Sequence, residues 1–235
     1  MATSLFSFST FSPLSSVHIK WSFDVLRQEG CYYLDKTHFI PKIEALRVPA
    51  ILSLRSCHFG KTLFLSTLSS YYDVKNRKRF KQLFQGLYIG KNPTPLASEF
   101  LVLELNFAGL RTNETDHFQV VDENRNAFVN FRKLLNAVIL SNNKLYVCID
   151  EYDGSMNEAL KNQTPLQALT NHHKNEGDFK IELMESSFKQ LFSILKTACD
   201  GGIARVFLTG VTPVAMAEFI SGFNISVDLT LNEEF

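Results

Sequence analysis

The sequence has no excess of charge of either sign. Lys+Arg and Asp+Glu both number 24 in 235 residues, so no global field draws the chain to nucleic acid or to a membrane surface. It also lacks any apolar run near the roughly 18 residues that a membrane-spanning helix needs. The four cysteines, Cys31, Cys57, Cys148 and Cys199, form no C-x-x-C pair and no zinc-ligand spacing. That usage points to a reducing, intracellular setting. Residues Met1 to Val17 contain no charged side chain. They lack the basic start and unbroken apolar stretch of a signal peptide, and the arginines of a transit peptide. Residues 1–21 are therefore read as a disordered or weakly structured leader. Asn113, Asn162 and Asn224 open glycosylation triplets, which are common by chance. There is no internal repeat.

The rest of the composition is ordinary for a globular domain: 45% hydrophobic and 20% charged, with phenylalanine abundant at 21 residues. The length suits one domain with a sizeable core, expected over residues 22–235. Ser22–Gln28 reads as a short helix and Cys31–Leu34 as a β-prone stretch leading into the turn Asp35-Lys36-Thr37. Ala50–Leu54 is a short apolar run with the look of a buried strand. Phe64, Leu65, Leu68, Tyr71 and Tyr72 then recur at helical spacing within Lys61–Tyr72. Further strands are expected at Phe100–Phe107, Leu145–Ile149, Val206–Thr209 and Val227–Leu231. Phe128, Phe131, Leu135 and Val138 mark one amphipathic helix. Met184, Phe188, Leu191, Leu195 and Ala198 mark another, ended by Asp200-Gly201-Gly202. The polar stretch Asn162–Asp178 reads mostly as loop. Strands alternating with helices imply a parallel sheet covered on both faces.

Three strand ends carry chemistry. The first is followed by Arg55-Ser56-Cys57-His58-Phe59-Gly60-Lys61-Thr62, which matches the last three letters of the phosphate-loop pattern G-x-x-x-x-G-K-[ST] and has Arg55 where the first glycine belongs. Gly60 lets the backbone approach a phosphate, and the helix start beyond it offers free N–H groups and partial positive charge. Lys61 would reach the β- and γ-phosphates and the Thr62 hydroxyl would hold Mg²⁺. Taken alone, this could be a chance G-K-T at a helix start. The second strand, Leu145–Ile149, runs into Asp150-Glu151, two carboxylates at the edge where open α/β sheets bind ligands. Asp150 would support Mg²⁺ and Glu151 would polarise an attacking water; taken alone, these are two exposed acids at a strand-to-loop junction. The third strand ends in Thr209-Gly210, where Thr209 is either a γ-phosphate sensor or a plain terminator. Both carboxylates and the loop, in this order at the ends of buried strands, point to a three-layer P-loop NTPase sandwich. Its parallel sheet would be of the ASCE type, the division that places a glutamate beside the magnesium-site aspartate.

The sequence resembles the AAA-ATPase-like family, whose members are often joined to a nuclease-like domain of the PD-(D/E)XK type. Tyr32-Tyr33-Leu34-Asp35-Lys36-Thr37-His38-Phe39-Ile40 is similar to the family's Y-Y-V-D-K-T-x-F-I. Phe59-Gly60-Lys61-Thr62-Leu63-Phe64-Leu65-Ser66 is similar to its F-G-K-T/S loop, and Ile149-Asp150-Glu151-Tyr152-Asp153 to its I-D-E-Y-D. Leu208-Thr209-Gly210-Val211-Thr212 and Ser221-Gly222-Phe223-Asn224 match its late motifs. The resemblance runs from about Phe23 to Phe235. It implies Mg²⁺-dependent ATP binding and slow hydrolysis, with Arg55, Phe59, Gly60, Lys61 and Thr62 around the nucleotide, Thr62 and Asp150 at the metal, and Glu151 and Thr209 as the catalytic pair. The family loop reads R-P-R-R-F-G-K. Here Ser56, Cys57 and His58 replace its Pro, Arg and Arg, which removes two fixed positive charges, since His58 is only partly charged near neutrality. Against the family, the ATPase domain is expected to be C-terminally incomplete, without the lid segment and the nuclease-like domain. Arg55 and Arg205 are then the internal candidates for a catalytic arginine.

Rival readings are a degenerate module acting through protein contacts or self-association, and a P-loop kinase, against which Glu151 beside Asp150 counts. The basic cluster Lys75, Arg77, Lys78, Arg79 and Lys81 suits nucleic-acid phosphate or, as charge runs usually do, a solvated helix face. His172-His173, with no ligand at suitable spacing, reads as exposed loop. Cys57 is a loop thiol open to oxidation or a bystander, and Cys148 is core packing.

Overall fold

The computed structural model describes residues 22–108, 127–154, 176–212 and 223–230, with backbone alone for 176–184. Five strands form one sheet: β1 (Ala50–Leu54), β2 (Phe100–Asn106), β3 (Lys144–Asp150), β4 (Ala204–Gly210) and β5 (Ser226–Asp228). Their order is β2-β3-β4-β1-β5 and every pairing is parallel. β4 stands between β1 and β3, so the strand that feeds the G-K-T loop and the strand that ends in Asp-Glu are held one strand apart. This is the α/β sheet of ASCE type that the motif order predicts.

Helices cover both faces. On one lie α1 (Phe23–Gln28), α2 (Phe39–Ala45), α3 (Lys61–Tyr72), α4 (Phe80–Phe84) and α5 (Tyr88–Lys91); on the other lie α6 (Ala127–Leu140) and α7 (Glu176–Asp200). The division arises from the two-residue period of the strands. Leu145, Val147 and Ile149 of β3 and Ala204, Val206 and Leu208 of β4 pack with Leu135, Val138, Phe188, Phe192 and Leu195 of α6 and α7. The alternate residues Tyr146, Cys148 and Phe207 pack with Leu65, Leu68, Tyr71 and Tyr72 of α3. The abundant aromatics fill this second core, where Tyr72 stacks on Tyr146 at 4.2 Å between ring centres.

Local chemistry sets the ends of the elements. The Ser22 hydroxyl accepts the Val25 N–H, capping α1. Gly202 ends α7 with φ +68, a conformation that costs an L residue steric strain. Asn106 accepts the Ala108 N–H on its side chain, which stops β2 one residue before Phe107. β5 is shorter than expected because the Asp228 carboxylate takes the Thr230 N–H and hydroxyl, turning the chain out of the ladder. Cys31–Leu34 is not a strand. Its Tyr33 meets Phe23 and Thr67, and it pairs with none of the five described strands. The polar stretch at Asn162–Asp178 ends in helix, since α7 begins at Glu176; the remainder, the leader 1–21 and His172-His173 lie outside the described residues.

The basic cluster lies on a 3₁₀ turn (Val74–Asn76) and α4. Lys75 pairs with Asp73 at 2.8 Å, Arg77 with Glu99 at 2.9 Å and Arg79 with Asp24 at 3.8 Å. No helix among the described residues is long and apolar enough to cross a membrane.

Leu68 is fully buried between α3 and the sheet. Leu68→Ala should cost about 2–5 kcal/mol through lost burial and the cavity left behind. The check is a denaturant titration in which the midpoint falls while the slope stays constant.

Candidate functional site

The strand parity that divides the core also builds the site. Continuing β3 one residue beyond Ile149, and β4 one beyond Leu208, puts Asp150 and Thr209 on the α3 face, level with the first turn of α3. There the Thr62 hydroxyl donates to Asp150 Oδ2 at 2.7 Å and the Thr209 hydroxyl donates to Asp150 Oδ1 at 2.5 Å. The Glu151 N–H adds a third bond to Oδ1 at 3.1 Å. Asp150 is 3% exposed and Thr209 1%. The carboxylate's neighbours are two hydroxyls and an amide, and among the described residues no cationic side chain pairs with it. A cavity of about 250 Å³ opens beside it, lined by Ser22, Thr62, Ser66, Glu104, Asn106 and Asp150 among others.

The loop between β1 and α3 reaches the same edge. Gly60 has φ +79, which the turn into the helix requires. His58, with φ 67, holds the same left-handed conformation at a steric cost. Lys61 folds back, its Nζ donating to the carbonyls of Arg55 at 2.9 Å and Ser56 at 3.1 Å. Phe59 is 62% exposed at the loop's tip. Arg55 is turned aside: its guanidinium donates to the carbonyls of Leu54, Leu229 and Thr230 and fastens β1 to the chain beyond β5. Arg205 lies at the opposite end of the sheet. It is the second residue of β4, about 13 Å along the strand from Thr209 at 3.3 Å per residue, and it lines a separate cavity of about 300 Å³ with Arg47 and Lys144. Its candidacy as a catalytic arginine is thereby corrected.

Glu151 leaves the strand with φ 49. No hydrogen bond to its carboxylate is formed among the described residues. The next two residues, Tyr152 and Asp153, form a clamp that reading the sequence for chemistry missed. Tyr152 donates its hydroxyl to the Thr212 carbonyl at 2.6 Å and its N–H to the Thr209 carbonyl at 3.1 Å. The Asp153 carboxylate takes the N–H of Val211 and the N–H and hydroxyl of Thr212. Gly210 makes room, since a Cβ there would lie 2.3 Å from the Tyr152 ring. The signal was present as the run of polar letters after Asp-Glu and the T-G-V-T at the end of β4, two motifs separated by nearly sixty residues.

A second bonded group is Asp35-Lys36-Thr37, expected from the sequence as a turn. Asp35 accepts the Thr37 N–H and hydroxyl and the Tyr88 N–H, the last at 2.7 Å. Thr37 accepts the Ile89 N–H at 3.1 Å. Burial raises the Asp35 carboxyl, but the Thr37 hydroxyl and the two amides outweigh it, and the net position lies below the usual 3.8. Cys148 is buried in β3, where burial, Glu104 and Asp150 hold its thiol well above the ordinary range; it is neutral packing, as expected. Burial and Asp200 push Cys199 up to about 12.

The donors fit a hard divalent cation. Thr62 and Asp150 offer only oxygen. That suits Mg²⁺, which uses one or two protein ligands and fills its shell with water and phosphate.

A parallel α/β sheet with a G-K-T loop after one strand and Asp-Glu at the end of another defines the class of P-loop nucleotide-binding proteins. A family model described as "Predicted AAA-ATPase" matches residues 19–126 and 115–220, and the chain belongs to this AAA-ATPase-like family. No curated protein and no solved structure gives a match.

The clamp and the Asp35 turn can each be tested by one substitution. Gly210→Ala must push the Tyr152 ring aside and loosen the clamp, at about 1–3 kcal/mol for such overpacking; thermal unfolding measures it. Because Asp35 sits below its unfolded value, its contribution to stability is present above about pH 3.8 and fades as pH falls through the lower folded value. Asp35→Asn should therefore lower stability at neutral pH and flatten the acid limb of the stability–pH curve.

Proposed function

We propose that the chain binds ATP together with Mg²⁺ at this cleft and hydrolyses it slowly. The observation that carries the reading is the convergence of Thr62 and Thr209 on the buried Asp150 carboxylate, at the sheet edge where Lys61 and its loop also stand. Lys61 would exchange the carbonyls of Arg55 and Ser56 for phosphate oxygens. Thr62 and Asp150 would hold the metal, which when bound neutralises charge on the β- and γ-phosphates. Thr209 acts through Asp150, fixing the carboxylate's orientation. Glu151, whose carboxylate is uncommitted among the described residues, would take the proton of the attacking water. Gly60 and Phe59 shape the loop, and Arg55 holds its base. The arginines account for slow turnover: Arg55 is engaged with carbonyls and Arg205 stands at the far edge. An arginine supplied by a partner or a second copy would raise the rate, by the roughly 10³–10⁵ such groups contribute.

A second reading, a nucleotide-binding module without turnover, is favoured by the loop itself, where Ser56 and Cys57 bring no charge and His58 only a fractional one. Two substitutions decide between them. Lys61→Ala should weaken ATP binding while the fold survives, and unchanged affinity would remove the phosphate-loop assignment. Glu151→Gln should bind ATP as the parent does but release phosphate more slowly, within the roughly 10²–10⁴ of a positioned acid–base group. Asp150→Asn should instead lose Mg²⁺-dependent affinity. A parent that binds but releases no phosphate supports the module; a Glu151→Gln protein that hydrolyses like the parent shows that Glu151 is not the base.

A further inference from the structure

We propose that Lys36 is a second phosphate-binding cation of the cleft, brought to the loop from the segment ahead of β1. The inference rests on the phosphate-loop reading of Lys61 and its neighbours. Lys36 donates to the Phe59 carbonyl at 3.0 Å, and its Nζ lies 3.7 Å from where a Cβ on Gly60 would stand. The ammonium is thus set against the last peptide of the loop before α3 begins.

Its pose is fixed from both sides. Asp35 and Thr37 are bonded to each other and to the first amides of α5, and Thr37 is 0% exposed. The backbone that carries Lys36 is pinned to the helical layer, and the side chain between the two pins is directed to the loop. That is more constraint than a surface lysine receives, and it fixes a charge at a defined point.

The charge is otherwise misplaced. Lys36 forms no ion pair among the described residues. It stands at the positive end of the 12-residue α3, where a cation is repelled, and it shares the loop with Lys61. A single carbonyl uses one of an ammonium's three N–H donors. An anion seated on the loop would add an attraction to Lys36, to Lys61 and to the helix end that offsets these repulsions. Of the loop's fixed cations, Arg55 is turned to the chain beyond β5 and Lys61 remains. Lys61 and Lys36 would hold the phosphate chain from two sides, one from within the helix and one from across the loop.

A simple strap on the Phe59 carbonyl is the competing role, and charge separates the two. Lys36→Gln retains an N–H donor for that carbonyl and removes the charge, while Lys36→Arg retains both. The full chain, its Lys36→Gln and Lys36→Arg variants, and Lys61→Ala are titrated with labelled ATP and by displacement with inorganic triphosphate, at several salt concentrations. Loss of a charge-assisted bond to phosphate predicts about tenfold weaker binding by Lys36→Gln. The factor should be the same for ATP and triphosphate, the salt dependence shallower, and most of the affinity restored in Lys36→Arg. Binding by Lys36→Gln within about twofold of the parent, with Lys61→Ala impaired, overturns the proposal and leaves the phosphate loop standing, since a charge-assisted bond is worth more than that. A loss seen for ATP but not for triphosphate overturns it too, because Lys36 would then be reading base or sugar. A parent that binds neither probe overturns both readings.

Discussion

The Asp150 carboxylate is the point on which the rest of the site depends. It lies buried at the end of the interior strand β3 and accepts from the first turn of α3, from the end of β4 and from its own strand's exit. Each donor belongs to a different element, so this one group registers the phosphate-loop helix against the two strands beneath it. Removing a partner from a buried carboxylate costs far more than the net worth of an ordinary hydrogen bond. The geometry of Thr62 and Thr209 is therefore set by electrostatics and not by packing alone. All three donors are neutral groups, and among the described residues no cationic side chain pairs with the carboxylate.

Around that point, the fold transmits order outward by short polar ties. The residues just past β3 lock onto those just past β4 through Tyr152 and Asp153. Arg55 fastens the start of the loop to the chain beyond β5, and its N–H continues the ladder to Gly210. The carboxyl edges of β1, β3, β4 and β5 are thereby cross-linked above the sheet, where backbone pairing has ended. Such ties fix the backbone on either side of Asp150 and Thr209, while the aromatic core packs below them.

Much of this was legible in the sequence, and for a physical reason. Strand parity is strict, so an apolar run ending in Ile149-Asp150 or Leu208-Thr209 states which face its last residue occupies. The G-K-T at the start of a helix-spaced stretch likewise states where its hydroxyl stands. Parity cannot supply contact between residues distant in sequence. Asp153 meets Thr212 and Lys36 meets Phe59 only because β4 is inserted beside β3 and because the segment before β1 folds back over α3. Side-chain direction outside regular structure was equally hidden. Arg55 occupies a loop position that suggests phosphate, yet carbonyls left bare at the end of β5 draw its guanidinium away. Cys31–Leu34 is β-prone in composition, but it pairs with none of the five described strands, and its Tyr33 packs on Phe23 and meets Thr67 instead.

The distribution of charge in the cleft explains why the site stays open. Lys61 and Asp150 stand on either side of the first turn of α3, and an ion pair between them would neutralise the site from within and have to be broken by any ligand. Each is instead occupied by neutral partners, Lys61 by two carbonyls and Asp150 by two hydroxyls and an amide. Each of these bonds is charge-assisted and stronger than one between two neutral groups, so a ligand must replace it with a bond at least as good. A ligand that brings both signs of charge, an anion toward the lysine and a cation toward the aspartate, offers such a replacement to both groups and adds both charge–charge terms. A simple anion or a simple cation gains only one. On the proposed reading, that pattern of charge matches a metal–polyphosphate pair.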